Sequence, residues 1–204
     1  PWSPLDKSSP RDNFDSGKLA FQWNFLRTPT EKWYTIADGS LQMETRPQEL
    51  KGLDNPSMIV RRIQHFNYKA TCQLSFSAKN DKEEAGLTAF LDNKNHYKLV
   101  KRKDNVALVK MSDSIETTIA TAEYKSDEVV LQIEGQMFDF IFRFGSNENK
   151  LKQIGEVQDS RVITARTFIG DGFNGPYIGM FTSSQGQVVD NKATFSWFEY
   201  MPVN

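Results

Sequence analysis

The sequence predicts an all-β sandwich of two antiparallel sheets, and three observations carry that prediction. Apolar and polar residues alternate with period two over much of the chain, turn-forming residues break the alternation at short intervals, and no window joins helical spacing of apolar residues to capping residues. The 204 residues fit one sandwich or two small domains. No internal repeat suggests a propeller or solenoid. On the order of ten or more short strands point to a jelly roll or a related sandwich.

Residues 1–11 carry Pro1, Pro4 and Pro10 among polar residues and read as an extended interdomain linker, leaving residues 12–204 for the sandwich. Pro1-Trp2-Ser3-Pro4 is an unusual start for a natural protein and reads as a cut. Asp38-Gly39 is the turn between strands at 33–36 and 41–43. Ala70, Cys72, Leu74 and Phe76 share one face of a strand, with Thr71, Gln73 and Ser75 on the other. Asp104-Asn105 separates strands at 96–102 and 106–111, and the β-branched stretch 116–122 reads as one more. Val129, Leu131 and Ile133 point to the core; Glu134-Gly135-Gln136 is read as a compact turn, after which Phe138, Phe140, Phe142 and Phe144 alternate inward. Gly170-Asp171-Gly172-Phe173-Asn174-Gly175 resembles a phosphate loop. A strand at 177–182 follows it, where a phosphate site needs a helix N-terminus, so it reads as a turn.

Composition closes off several functions. A net charge of -1 lacks the basic field that nucleic acid requires, and Arg61-Arg62 and Lys101-Arg102-Lys103 are short runs read as solvated strand ends. Cys72 is the only cysteine, so no intramolecular disulfide forms, and its place between Ala70 and Leu74 makes it core material. The 15 Phe, 6 Tyr and 4 Trp supply enough bulk for a core without metal or disulfide staples. The longest apolar stretches are too short for a bilayer, so no membrane partner is expected. No signal-peptide pattern opens the sequence given. The compartment is left open between extracytoplasmic (periplasmic) and cytoplasmic.

Catalytic constellations are missing from the pattern. Glycoside hydrolysis needs two convergent carboxyl groups. Adjacent Glu83 and Glu84 project to opposite faces of a strand and follow Lys79-Asn80-Asp81-Lys82, so they read as part of a solvated turn. His65 and His96 stand outside any metal-ligand spacing and read as polar strand positions. No serine sits in a Gly-x-Ser-x-Gly elbow. Asp12, Asp15 and Asp190 are the candidate oxygen ligands for a structural calcium; the ion needs six or more oxygens, and these read equally as turn carboxylates, so no metal is assigned.

Several separated segments resemble the C-terminal concanavalin A-like domain of glycoside hydrolase family 43 β-xylosidases and arabinofuranosidases. They are the opening Arg11-Asp12-Asn13-Phe14-Asp15-Ser16-Gly17 with Leu19 and Trp23-Asn24-Phe25-Leu26-Arg27, the double-arginine strand Asn55-Pro56-Ser57-Met58-Ile59-Val60-Arg61-Arg62-Ile63-Gln64-His65, and Glu84-Ala85-Gly86-Leu87 with Asn95-His96-Tyr97. Gly172-Phe173-Asn174-Gly175-Pro176-Tyr177-Ile178-Gly179-Met180 and Ala193-Thr194-Phe195-Ser196-Trp197-Phe198-Glu199-Tyr200 complete the set. Two places depart from the family: Ser196, where an acidic residue is common, and Gly145-Ser146-Asn147-Glu148-Asn149, where a Ser-Asp-Gly turn is common.

The resemblance implies a concanavalin A-like jelly-roll sandwich that acts as an accessory module, without catalytic residues of its own. Its partner is then an N-terminal catalytic five-bladed propeller in the same protein, and through it a xylo- or arabino-oligosaccharide. One sandwich loop reaches the mouth of that active site in the family. By its place before the double-arginine strand it is identified as loop 48–58, with Leu53, Asp54, Asn55 and Met58 as the substrate-pocket residues. Asp54 and Asn55 would face sugar hydroxyls, while Leu53 and Met58 would pack at the domain contact. Asp54 stands where some members carry an aromatic residue, so stacking is not carried over. The rival reading is a free-standing carbohydrate-binding module or lectin, which needs exposed rows of aromatic rings; Trp23, Trp33 and Trp197 lie in alternating strands and read as core or interface.

Overall fold

The computed structural model describes residues 10–164 and 175–203, and every strand pairing in it is antiparallel. In chain order the strands are β1 (Arg11–Asp12), β2 (Asn24–Phe25), β3 (Tyr34–Ala37), β4 (Ser40–Glu44), β5 (Ser57–Arg62), β6 (Asn67–Ser75), β7 (Glu84–Asp92) and β8 (Asn95–Lys101). They continue as β9 (Asn105–Ser112), β10 (Ile115–Glu123), β11 (Glu128–Gln136), β12 (Asp139–Gly145), β13 (Lys152–Gln153), β14 (Gln158–Asp159), β15 (Tyr177–Ser183) and β16 (Lys192–Pro202). A nine-stranded sheet runs β13-β12-β11-β6-β16-β4-β3, with β1 added to β16 and β14 to β12, and a seven-stranded sheet runs β10-β9-β8-β7-β15-β5-β2. The only helices among the described residues are two short 3-10 turns, Glu148–Lys150 and Ser160–Ile163. No helix there is long and apolar enough to cross a membrane.

Period two explains the layers. Ala70, Cys72 and Leu74 of β6, Leu131 and Ile133 of β11, and Phe140, Phe142 and Phe144 of β12 face Leu87, Ala89, Tyr97, Leu99 and Leu108 of the opposite sheet in one buried cluster. Burying Cys72 this way pushes its thiol far above the ordinary range, which leaves it an inert core residue. The turn at Asp38-Gly39 forms as the sequence predicts, with both residues at positive φ (53° and 65°).

Three expectations are corrected. The β11–β12 turn lies at Met137 and Phe138, because Gln136 pairs with Asp139, whereas Glu134, Gly135 and Gln136 are strand residues. Gly135 is required there for another reason: a Cβ would sit 2.5 Å from the Tyr68 ring, which closes over this backbone. Phe138 is therefore a turn residue and exposed, while the other three phenylalanines of its series are buried. The Lys101-Arg102-Lys103 run is a solvated strand end only at Lys103. Lys101 is buried with its ammonium on the carbonyls of Arg102 and Lys103, and burial lowers its pKa. His65 lies between β5 and β6 rather than in a strand, its Nδ1 3.2 Å from the Tyr200 hydroxyl.

The seven-stranded sheet is apolar on its outer face as well. Met58, Val60, Phe90, Val100, Ala107, Val109 and Phe181 occupy the alternate positions and form a second buried cluster, sealed by Leu50 from loop 48–58. Covering one leucine contributes about 2 kcal/mol, so the loop is held down as part of the fold.

Candidate functional site

Loop 48–58 leaves β4 beside Thr45, whose hydroxyl meets that of Thr182 at 2.9 Å, and rejoins the sheet where Ser57 Oγ donates to Glu44 O at 2.7 Å. Between these anchors Gly52 N donates to Glu49 O, a tight turn that carries the chain over the outer face. The tip reaches the β7–β8 turn, where Asn93 Nδ2 donates to Lys51 O at 3.4 Å.

The four predicted residues separate into two pairs. Leu53 is 75% exposed and Asp54 is exposed beside it at the tip, with the Asp54 carbonyl accepting from Arg27 Nη1 at 2.6 Å. Asn55 and Met58 face inward instead. The Asn55 amide oxygen accepts from Trp33 Nε1 at 2.9 Å, its amide nitrogen donates to Leu26 O at 2.8 Å and Arg27 O at 3.3 Å, and its backbone carbonyl accepts from Arg46 Nη1 at 3.1 Å. Met58 lies within the outer-face cluster under Leu50. The loop thus has a locked base and a presented tip.

Beneath the loop the outer face carries an ion cluster that reading by neighbours in sequence missed. Glu83 and Glu84 are fully buried, not part of a solvated turn. Glu84 opens β7 and meets Lys98 Nζ and Arg102 Nη2, both at 2.8 Å, because β8 is its partner strand; Lys98 also reaches Glu116 at 3.3 Å. Burial alone would raise the Glu84 carboxyl, but the charges of Lys98 and Arg102 hold it below its ordinary value. Glu83 accepts from Lys79 N at 3.1 Å, Asn80 Nδ2 at 2.7 Å and Asn191 Nδ2. His96, also on this face, stacks on Phe90 with ring centroids 5.6 Å apart, and burial pushes its pKa down to about 4.

The carboxylates named for calcium do not gather. Asp12 accepts from Phe14 N at 2.9 Å and Trp23 Nε1 at 2.8 Å and pairs with Phe198, whereas Asp190 lies before the far end of that same strand. Among the described residues no group of three or more His, Cys, Asp or Glu side chains is placed to hold a metal. The glycine-rich stretch 170–174 lies outside the described residues, as does Trp2. Trp23 and Trp33 are core residues, while Trp197 is buried on the outer face of the nine-stranded sheet under Arg11.

Known proteins share this architecture. The family model described as the β-xylosidase C-terminal concanavalin A-like domain matches residues 11–201. The non-reducing end α-L-arabinofuranosidase BoGH43B of Bacteroides ovatus is 30% identical over 198 residues, covering 93% of this chain and 36% of the relative. A xylosidase/arabinosidase of Butyrivibrio fibrisolvens is 30% identical over 178 residues, covering 83% of this chain and 33% of the relative. The chain thus spans about a third of the length of the curated relatives it matches. The solved GH43B structure from the Bacteroides ovatus xyloglucan locus superposes over all of this chain and 41% of its own with a TM-score of 0.89 at 28% identity. The BlXynB protein of Bacillus licheniformis superposes at 0.90 over 100% of this chain and 41% of its own, at 22% identity, a likeness of fold.

Proposed function

The chain belongs to the β-xylosidase C-terminal concanavalin A-like domain family of glycoside hydrolase family 43, and from that premise we propose that it is the accessory sandwich of a two-domain glycosidase. In this reading it seats against an N-terminal catalytic five-bladed propeller and shapes the pocket that takes a xylo- or arabino-oligosaccharide. The relatives' names, an arabinofuranosidase and a xylosidase/arabinosidase, supply the substrate class.

The observation that carries the pocket-shaping role is the division of loop 48–58. Asn55, Met58 and Leu50 hold it in one conformation, so Leu53 and Asp54 are presented at low entropic cost. Leu53 then supplies an apolar contact and Asp54 a carboxylate for sugar hydroxyls. The lectin alternative draws nothing from Trp23, Trp33 and Trp197, which are enclosed, or from the outer face of the seven-stranded sheet, where Leu50 packs.

The test is kinetic and uses the full natural polypeptide with aryl β-xylosides and aryl α-arabinofuranosides. Leu53→Ala and Asp54→Ala each lower kcat/KM roughly five- to tenfold, as loss of one contact to a sugar does, without changing thermal stability. Unchanged kinetics for both variants and for a loop deletion would remove the pocket-shaping role.

A further inference from the structure

We propose that the apolar end of the sandwich around Phe66, Met137 and Phe138 is the surface on which the catalytic domain of the same polypeptide docks; the inference rests on the two-domain reading above and adds the place of contact. Three connections converge there: residues 63–66 between β5 and β6, the Met137–Phe138 turn, and the 3-10 turn Ser160–Ile163. They enclose an open pocket of about 440 Å³ lined by Phe66, Tyr68, Met137, Phe138, Phe140 and Ile163.

Among the described residues nothing covers three of these side chains. Phe66, Met137 and Phe138 are 74%, 56% and 58% exposed at turn tips, where Asn, Asp and Gly are the residues that turn geometry favours. Met137 takes φ 53°, a left-handed conformation that costs a side chain of this kind about 1 kcal/mol. An apolar docked surface answers the exposure of all three side chains. The rim is polar, with Gln64 and His65 on one side and the Arg161–Asp159 pair on the other, the arrangement of a protein interface.

Chain connectivity selects the occupant. Pro10 O accepts from Tyr200 N at 2.9 Å, and the Tyr200 hydroxyl accepts from Gln64 N at 3.0 Å, so the polypeptide joins the sandwich at the rim of this pocket. About two thirds of the length of each curated relative lies outside the match. A domain tethered by residues 1–10 meets this end at a high effective concentration. Lys51 of loop 48–58 reaches this end of the seven-stranded sheet through Asn93, and Pro176 and Ile63 also lie there.

The experiment uses the full natural polypeptide. Phe66→Ser combined with Phe138→Ser alters only exposed side chains, and Ile115→Ser with Val188→Ser is the exposed control elsewhere. The wild type unfolds in one calorimetric transition; the double variant is expected to show two, and protease cleavage within residues 1–10 to accelerate tenfold or more. A variant that keeps the single transition and the slow cleavage overturns the assignment, as does a control pair with the same effect. A change from dimer to monomer by light scattering, with domain docking intact, would assign the patch to a second copy and also overturn it. A wild type that hydrolyses neither aryl glycoside and contains no second folded domain sinks the two-domain reading itself, so the two failures are distinguishable.

Discussion

The guanidinium carbon of Arg11 lies 3.9 Å from the ring centroid of Trp197, so the first residue of β1 is clamped on the last strand of the chain. The same side chain meets Glu199 Oε1 at 3.1 Å and Glu148 Oε1 at 2.5 Å. Trp197 is on this outer face because a bulge between Phe195 and Trp197 shifts its register, and its indole N–H donates to Gln73 Oε1 at 3.1 Å. Arg11→Ala removes a cation–π contact and two partly screened ion pairs, an expected loss of about 1.5 kcal/mol. In a chain of this size that lowers Tm by roughly 3–6 °C, and Trp emission shifts to the red as the ring is uncovered. Arg11→Lys keeps the charge but not the flat stack, and recovers part of the loss. An unchanged melting curve for Arg11→Ala would show that the clamp contributes nothing.

Asn55 and Asp54 are neighbours with opposite expected phenotypes. Asn55→Ala leaves the buried Trp33 indole N–H and the Leu26 carbonyl without their partner, which costs about 2–3 kcal/mol. Asp54→Ala keeps the backbone carbonyl that Arg27 uses and alters only an exposed carboxylate, so its cost stays within about 0.5 kcal/mol. Urea denaturation of the two variants separates them; equal stabilities would contradict the locked base of the loop.

Alternation made most of the fold legible, because β6, β11 and β12 each turn a fully buried apolar face inward and carry mostly polar, partly covered residues on the other. It failed where both faces are covered. Val106-Ala107-Leu108-Val109 is apolar without interruption, since Leu108 faces the other sheet while Ala107 and Val109 lie in the outer cluster under Leu50. The ion cluster was invisible for a related reason: Glu84 follows a charged turn in sequence, and only strand pairing brings it Lys98 and Arg102. In loop 48–58 the sequence singled out the stretch, but Asn55 and Met58 turn inward because their partners, Trp33 and the outer-face cluster, come from other strands. The Phe66–Phe138 end was hidden because Phe138 continues the alternation of its strand past the point where pairing stops.

Gly135 tests the close approach that replaced the predicted turn. Gly135→Ala drives a Cβ to 2.5 Å from Tyr68 Cε1, and Tyr68 is itself stacked on Tyr200 with centroids 5.1 Å apart. Such overpacking costs about 2–3 kcal/mol. At Gly39 a Cβ meets nothing within 4 Å, so Gly39→Ala suffers only the positive φ and costs about 1 kcal/mol. Combining Gly135→Ala with Tyr68→Leu, which removes the opposing ring edge, should cost less than the sum of the two single changes. Additive losses would mean that Tyr68 is not the obstacle.

His96 gives the sandwich a pH dependence in a window where the shifted carboxylates Glu84 and Glu134 are silent. Its ring is buried against Phe90 and burial lowers its pKa to about 4; a contact with the Asp92 carbonyl opposes the shift, the charge of Lys98 adds to it, and Glu116 and Asp92 oppose it. An unfolded histidine titrates near 6.5, so below that pH the unfolded chain binds a proton that the folded chain refuses. Stability is therefore full above about pH 6.5 and falls as pH is lowered toward 4, where the folded ring also protonates. Between pH 7.5 and pH 5 the expected loss from this group is roughly 2 kcal/mol. Glu84 and Glu134 are both held below their ordinary values by their basic partners and hydrogen bonds, against the effect of burial, so they stay ionised across this interval. His96→Phe retains the ring on Phe90 without the titration, and its urea midpoint should change much less between pH 7.5 and pH 5 than that of the wild type. If both proteins lose the same stability over that interval, the proton is taken up elsewhere and His96 is not the responsible group.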